Sequence, residues 1–314
     1  MSVPSDSDAV VRTERLTKYY GPQRGIEDLD MEVRRGEVFG FLGPNGAGKT
    51  TTIRLLLGLL RPTRGGATIL GRDFRAAGAE VRHQVGYLPG DLAMYENMRA
   101  HEFVDFMGRM RGGVPKGRVA ALAERLDLDL GRHIRDLSKG NKQKLGVLQA
   151  FMHDPKLLVL DEPTSGLDPL VQLVFQEIVR ETTGRGASVF LSSHILAEVE
   201  QLADRVGIVV DGHLVVVERI DALKERAVRR LDLDLGRPAE ASVFAAIPGV
   251  TEATARGNVV TCAVTGHVTQ LLAEAVAQGV VNVVSHEPDL EEIFLGYVGG
   301  GGGAAAGVDR QDVA

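Results

Sequence analysis

Cysteine is almost missing from this chain: Cys262 stands alone among 314 residues. A single thiol can neither close an internal disulfide nor build a thiolate metal cluster, and such usage fits a reducing cytosol. Long apolar runs are missing as well. The longest clean ones, such as Leu55–Leu60, fall far short of the roughly 20 residues that a bilayer-crossing helix needs, so any action on a membrane is expected to pass through a partner. There is no cationic excess either. The 36 Lys+Arg against 42 Asp+Glu leave −6, so nothing in the overall charge marks a nucleic-acid or anionic-membrane surface. The Ser/Asp-rich stretch Met1–Ala9 lacks the basic-then-apolar pattern of a secretory signal. What is present is the balance of an ordinary folded protein, 44% hydrophobic and 25% charged. The length gives a prior of about two domains.

Strand and helix patterns alternate from about Val10 to Glu218. Leu29, Met31 and Val33 alternate with polar residues, as in a half-buried strand. Arg34-Arg35-Gly36 turns the chain into Val38–Leu42, an apolar run that reads as a buried strand, and Leu157–Leu160, Ala187–Ser192 and Val206–Val210 repeat that pattern. Helix patterns lie between them, notably Leu170–Thr182 and Ile195–Ala203. Buried strands separated by helices predict an α/β fold with a parallel sheet. Asp211-Gly212 signals a hairpin into His213–Val217. From about 91 to 153 strand signals give way to helix patterns, which predicts a helical subdomain inserted in the core. The last third reads β-α-β-β-α-β, beginning at Leu231-Asp232-Leu233 and ending at Val280–Ser285, the order of a split βαβ, ferredoxin-like unit. A further helix at Asp289–Tyr297 would close it. The expected division is a flexible 1–9, a nucleotide-binding domain at 10–222, a small α+β domain at 223–298 and a Gly/Ala-rich flexible tail at 299–314.

Gly43-Pro44-Asn45-Gly46-Ala47-Gly48-Lys49-Thr50 fits G-x-x-x-x-G-K-[ST] throughout, and it lies between a strand and a helix pattern, Thr51–Leu60, as that motif requires. Glycines at 43, 46 and 48 allow successive backbone N–H groups to turn inward around a phosphate, and the helix directs its dipole at the same anion. Lys49 is expected to reach the β- and γ-phosphates, and the Thr50 hydroxyl to hold Mg²⁺. A GTPase would need an Asn-Lys-x-Asp guanine reader, and the nearest candidate, Asn141-Lys142-Gln143-Lys144, ends in Lys where that motif needs Asp. Leu157-Leu158-Val159-Leu160-Asp161-Glu162 carries two carboxylates to the carboxyl edge of the sheet, Asp161 for Mg²⁺ and Glu162 to polarise an attacking water as general base. Ser138 stands at the N-cap of a helix after Leu137, and Gly140 lets a backbone approach an anion. Lys139, Lys142 and Lys144 read as a solvated face of that helix.

These elements together resemble the ATP-binding subunit of an ABC (ATP-binding cassette) transporter, in the family's order from about Val10 to Glu218. The resemblance implies a P-loop, RecA-like core. It makes Gly43–Thr50 the Walker A loop, with Asn45 and Thr51 among its nucleotide contacts, Leu137–Asn141 the signature, and Asp161-Glu162 the end of Walker B. Ser165-Gly166-Leu167-Asp168 resembles the D-loop that crosses to a partner subunit, which places Asp168 at the nucleotide. His194 resembles the switch histidine, and Tyr20 the aromatic that stacks on adenine. Two departures stand out. Gly90 occupies the place where the family usually has a metal-contacting Gln, leaving water or Asp91 to complete the shell. The signature has Lys139 and Asn141 where Gly and Gln are common. Glu287–Phe294, Glu-Pro-Asp-Leu-Glu-Glu-Ile-Phe, resembles bacterial drug and polyketide-antibiotic exporter cassettes.

The resemblance implies ATP and Mg²⁺ as cofactors and ATP hydrolysis as the activity. It also implies a second cassette, most simply a second copy, because the nucleotide lies between one subunit's Walker A and the other's signature. Both would dock on a separate multi-span permease at the cytoplasmic face of the cell membrane. The rival expectation is a soluble ABC ATPase acting on nucleic acid or ribosomes, whose members usually carry two cassettes or a coiled-coil insert in one chain. This sequence has neither.

Overall fold

The apolar runs become strands of one six-stranded sheet, in the order His213–Arg219, Arg205–Val210, Val38–Leu42, Ser188–Ser193, Leu157–Asp161, Val85–Leu88. Pairing is parallel from Arg205–Val210 across to Val85–Leu88. Every residue of Val38–Leu42, Leu157–Asp161 and Ser188–Ser193 is buried, which is why these strands read as continuous apolar runs and not as alternation. The register pairs Leu42 with Ser193 and Asp161 with Ser192. The loops that follow these three strands therefore leave from one carboxyl edge, where ligands bind in open sheets of this kind.

The structure is a computed structural model that describes residues 9–75, 79–226 and 228–286. The chain divides into two compact units, Met1–Glu218 and Arg219–Ala314. The readings that fall on 1–8, on Asp289–Tyr297 with its Glu287–Phe294 motif, and on the tail from 299 lie outside the described residues.

The first unit holds a second sheet that the sequence reading did not separate. Gln23–Arg34, Ala9–Tyr20, Arg64–Ile69 and Arg72–Asp73 form it in that order, all antiparallel. The strand of Leu29, Met31 and Val33 belongs here. Register shifts around Arg15 and Asp28, both with positive φ (46° and 44°), interrupt the period-two pattern by which such strands are recognised. The helix Lys49–Leu56 joins the two sheets: Ile53, Leu55 and Leu56 lie in one core with Val11, Leu16 and Leu29 from one sheet and Phe41, Val159 and Phe190 from the other. That helix begins and ends earlier than Thr51–Leu60, because the backbone leaves helical geometry before Gly58, which has φ +67°.

Helices Ala100–Met110, Arg118–Arg125 and Lys139–Phe151 and a 3₁₀ turn at Ile134–Asp136 carry the region between Leu88 and Leu157. Gly112 and Gly113, at φ +83° and +117°, break the first of them from the second, in the left-handed region that glycine enters without strain. From Gln143 to Phe151 the third helix is wholly buried. This corrects the solvated-face reading for Lys144, while Lys139 is exposed as expected and Lys142 is half-exposed. Lys144 is buried and donates to the Asp127 carbonyl at 3.4 Å, while Lys142 pairs with Glu96 at 2.9 Å. A lysine stem can lie along apolar surface as long as its ammonium finds an acceptor.

The second unit runs Arg229–Asp234, Ala241–Ala245, Val250–Arg256, Val259–Val264, Thr269–Ala277, Asn282–His286 after a short helix, Ile220–Arg226. Its antiparallel sheet has the order Val250–Arg256, Val259–Val264, Arg229–Asp234, Asn282–His286, the expected split βαβ arrangement. Leu231, Leu233, Val260 and Cys262 face Phe244 and Leu271 of its helices in one small core. Burial there pushes the Cys262 thiol up to about 11, so it serves as an apolar core residue. No helix among the described residues is long and apolar enough to cross a membrane.

Candidate nucleotide site

The phosphate loop leaves Val38–Leu42 and is shaped by two glycines with positive φ, Gly46 at +84° and Gly48 at +106°. A Cβ at position 48 would stand 2.5 Å from Ile26 Cγ2 and 2.6 Å from the Gly25 carbonyl. The loop is thus packed against the strand Gln23–Arg34 from the other sheet. The Asp211-Gly212 hairpin supports it from behind: Gly212 N donates to the Ala47 carbonyl at 3.1 Å, and Glu27 N to the Gly212 carbonyl at 2.8 Å. Lys49 is only 6% exposed and its Nζ donates to the Gly43 carbonyl at 2.7 Å and to Pro44 at 3.3 Å. The ammonium is folded over the concavity that the loop amides surround, which is where an anion would sit.

The two acids are separated by the end of a strand. Asp161 is the last residue of Leu157–Asp161, almost fully buried, and both its oxygens are occupied: Thr50 Oγ1 donates to Oδ2 at 2.8 Å and Ser192 Oγ to Oδ1 at 2.5 Å. Glu162 lies beyond the strand with φ +50°, a conformation that costs a non-glycine residue of order 1 kcal/mol or more and that persists where surrounding contacts impose it. Its amide is held by the Ser192 carbonyl at 3.2 Å. Its carboxylate is divided between Lys49 Nζ, 3.4 Å from Oε1, and His194 Nδ1, 2.8 Å from Oε2.

A cleft of about 530 Å³ opens beside Lys49, Thr50 and Glu162, lined also by Tyr20, Asn45, Gly48 and Thr51, while Asp161 and His194 lie outside its lining. The Tyr20 ring is 45% exposed, with its hydroxyl 3.4 Å from Thr51 Oγ1 and Lys18 Nζ 5.2 Å from the ring centroid. A flat exposed ring at the rim of an anion-binding concavity is the arrangement that a stacked base requires.

Ser138, Gly140 and Asp168 do not line this cleft. Ser138 caps Lys139–Phe151 by accepting from Asn141 N at 3.2 Å, and Asp168 caps Pro169–Gly184 by accepting from Val171 N at 3.1 Å. Gly140 lies against the Gly166 carbonyl, which a Cβ would approach to 2.9 Å. The signature and D-loop segments therefore pack on each other within one chain. Sequence reasoning missed Gln143, whose Nε2 donates to the carbonyls of Glu162 and Pro163 at 3.3 and 2.8 Å, and the role of Ser192 on Asp161. A polar residue in the middle of an apolar helix face was the available signal for Gln143. Asp91 is exposed.

The model of the ABC transporter family matches residues 26–165, which include the phosphate loop, the carboxylate strand and the capped helix. The chain is 37% identical over 241 residues to the bacitracin transport ATP-binding protein of Bacillus licheniformis, covering 75% of this chain and 78% of that one. It is 34% identical over 308 residues to the daunorubicin resistance ATP-binding protein of Streptomyces coeruleorubidus, covering 93% and 97%. Among solved structures, an ATP-binding subunit of an ABC transporter superposes with a TM-score of 0.64 at 31% identity, over 68% of this chain and 92% of that one. A dimeric bacterial ABC transporter cassette at 19% identity, TM-score 0.62, shares the fold. With its phosphate loop, paired carboxylates and overall sequence all matched in this way, the chain belongs to the ABC transporter family as one of its ATP-binding, ATP-hydrolysing subunits.

Proposed function

We propose that the chain binds Mg-ATP in the cleft at the carboxyl edge of the parallel sheet and uses its hydrolysis to drive export of a drug or hydrophobic antibiotic through a separate permease. The observation that carries the chemistry is the placement of Glu162 between Lys49 and His194. The support for export is the names of the relatives, a bacitracin transport subunit and a daunorubicin resistance subunit.

In this reading the amides toward the helix end of the loop, from Gly46 to Thr50, and the Lys49 ammonium hold the β- and γ-phosphates, and Tyr20 takes the base by stacking. Asn45 and Thr51 line the same cleft, Thr51 beside the Tyr20 hydroxyl. Thr50 and Asp161 supply oxygen ligands of the kind Mg²⁺ selects, already within 2.8 Å of each other. The ion, when bound, neutralises charge on the β- and γ-phosphate oxygens. Glu162 takes a proton from the attacking water as its oxygen bonds to the γ-phosphorus and the bond to the β-phosphate oxygen breaks. His194 orients that carboxylate from its other oxygen. Asp91 is left without a metal role, and Gly90 leaves the carboxamide position to water.

The cassette of this proposal is 10–222, with 223–298 as an accessory domain. Ser138 is exposed and Gly140 half-exposed, away from their own chain's cleft, which supports a site completed by the signature face and Asp168 loop of a second copy. Docking on a permease places the pair at the cytoplasmic face of the membrane. The direct test is Glu162→Gln, which keeps the shape and loses the base. ATPase activity is expected to fall by about 10²–10⁴ with ATP binding retained. A variant hydrolysing at half the native rate would remove Glu162 from its role.

A further inference from the structure

The two loops that deliver Glu162 and His194 are tied together by a third carboxylate. Glu198, half-buried in the first turn of Leu196–Leu202, accepts from Thr164 Oγ1 at 2.5 Å through Oε1 and from Ser193 Oγ at 2.7 Å through Oε2. Thr164 lies two residues after Glu162 and Ser193 immediately before His194, and both are buried. The Ser193 carbonyl also receives the amide of Gly43 at 3.3 Å, so the bridge extends to the first residue of the phosphate loop. A Glu at the third position of a helix ordinarily turns back to cap its own N-terminal amide. Here that amide, Ile195 N, is taken by Ser193 Oγ at 2.9 Å, and the carboxylate reaches across to the other loop.

We propose that Glu198 is a positioning residue for hydrolysis: by holding Thr164 and Ser193 on its two oxygens it keeps the Glu162 and His194 loops in register, so that the 2.8 Å contact between those side chains is maintained. This rests on the hydrolytic reading of Glu162 and His194. The physical reason for expecting an effect at a distance is geometric. Glu162 stands in a strained left-handed conformation that surrounding contacts must impose, and a displacement of about 1 Å in a reacting group can cost about 10²-fold in rate. ATP binding depends on the phosphate loop amides and Tyr20, none of which Glu198 touches through a side chain.

The test is steady-state ATP hydrolysis by the full chain carrying Glu198→Ala, Glu198→Gln, Thr164→Val, and the double variant Glu198→Ala/Thr164→Val. Glu198→Ala is expected to lower kcat by about 10- to 100-fold with the KM for ATP within about twofold of native. Glu198→Gln is expected to recover most of the rate, because the amide oxygen accepts from one hydroxyl while its NH₂ donates to the other. Thr164→Val keeps the volume and cuts one arm, so the double variant should be no slower than Glu198→Ala alone, as for residues acting as one unit. Native kcat in Glu198→Ala, or equal losses in Ala and Gln variants with unchanged thermal midpoints, would overturn the proposal. Should Glu198→Ala fail to fold, Thr164→Val decides: a native kcat there overturns it and a lowered kcat at constant KM supports it. Glu162→Gln run alongside separates the two levels. If that variant stays active the hydrolytic reading itself falls, and if it is dead while the Glu198 and Thr164 variants are native only the bridge falls.

Discussion

Gly90 lies directly against Asp161: a Cβ built on Gly90 would stand 3.3 Å from Asp161 Oδ2, the oxygen that also accepts from Thr50. The place where the family resemblance leads one to expect a glutamine is thus beside the proposed metal carboxylate, with no side chain of its own to offer. Gly90→Gln is expected to fold and to lower the Mg²⁺ concentration needed for half-maximal hydrolysis, since it adds a carbonyl oxygen ligand of the type the ion prefers. Asp91→Ala, at an exposed position, should leave the same titration unchanged. A Mg²⁺ titration of ATPase activity on both variants checks this, and an identical curve for Gly90→Gln would show that the site needs no further protein oxygen.

Gly48→Ala should weaken nucleotide binding more than its one added methyl implies. The φ of +106° is closed to an L side chain, and the methyl would lie 2.6 Å from the Gly25 carbonyl. Loss of the loop geometry removes several amide donors at once. Equilibrium ATP binding is expected to weaken at least about tenfold, a loss of about 1.4 kcal/mol; native affinity would mean that the loop can open away from the strand behind it.

The proposed sharing of each site between two copies makes a complementation prediction. Lys49→Ala removes the phosphate lysine, and Ser138→Arg blocks the exposed signature face by bulk, so each preparation alone should be inactive. Mixed as monomers with ATP and Mg²⁺, they should recover measurable ATPase activity, because one of the two sites in a heterodimer pairs a native phosphate loop with a native signature. No recovery in verified heterodimers would count against sharing, and a linked dimer with one lesion would reveal whether both sites must fire together.

His153 gives the fold a pH dependence of definite sign. Burial first, and the Arg111 guanidinium 3.0 Å from its Nε2 second, push its pKa down to about 4. The unfolded chain holds the imidazole at about 6.5. Between these values the unfolded state binds the proton and the native state does not. Stability is therefore full above about pH 6.5, declines as pH falls toward 4, and loses nothing more to this group below that. His153→Gln, which can still accept from Arg111, should flatten the fall of the thermal midpoint between pH 6.5 and 4.5. A slope unchanged by the substitution would assign it to other groups.

Much of the molecule was legible in the sequence, for an identifiable reason. The phosphate loop occupies eight consecutive residues, the carboxylates end one apolar run, and the buried strands betray themselves by continuous hydrophobicity, so each signal is contained in a short window. The split βαβ order of the second unit was readable on the same terms. What only the tertiary structure decided are relations between windows. Thr50 meets Asp161 across 111 residues and Gln143 reaches Pro163 across 20. The antiparallel sheet hid behind bulges that break its period. Glu198 bridges Thr164 and Ser193 only because the parallel register brings the ends of two strands separated by a long helix to one edge. Strand order is set by the packing of whole faces against one another, and no local pattern of residues encodes it.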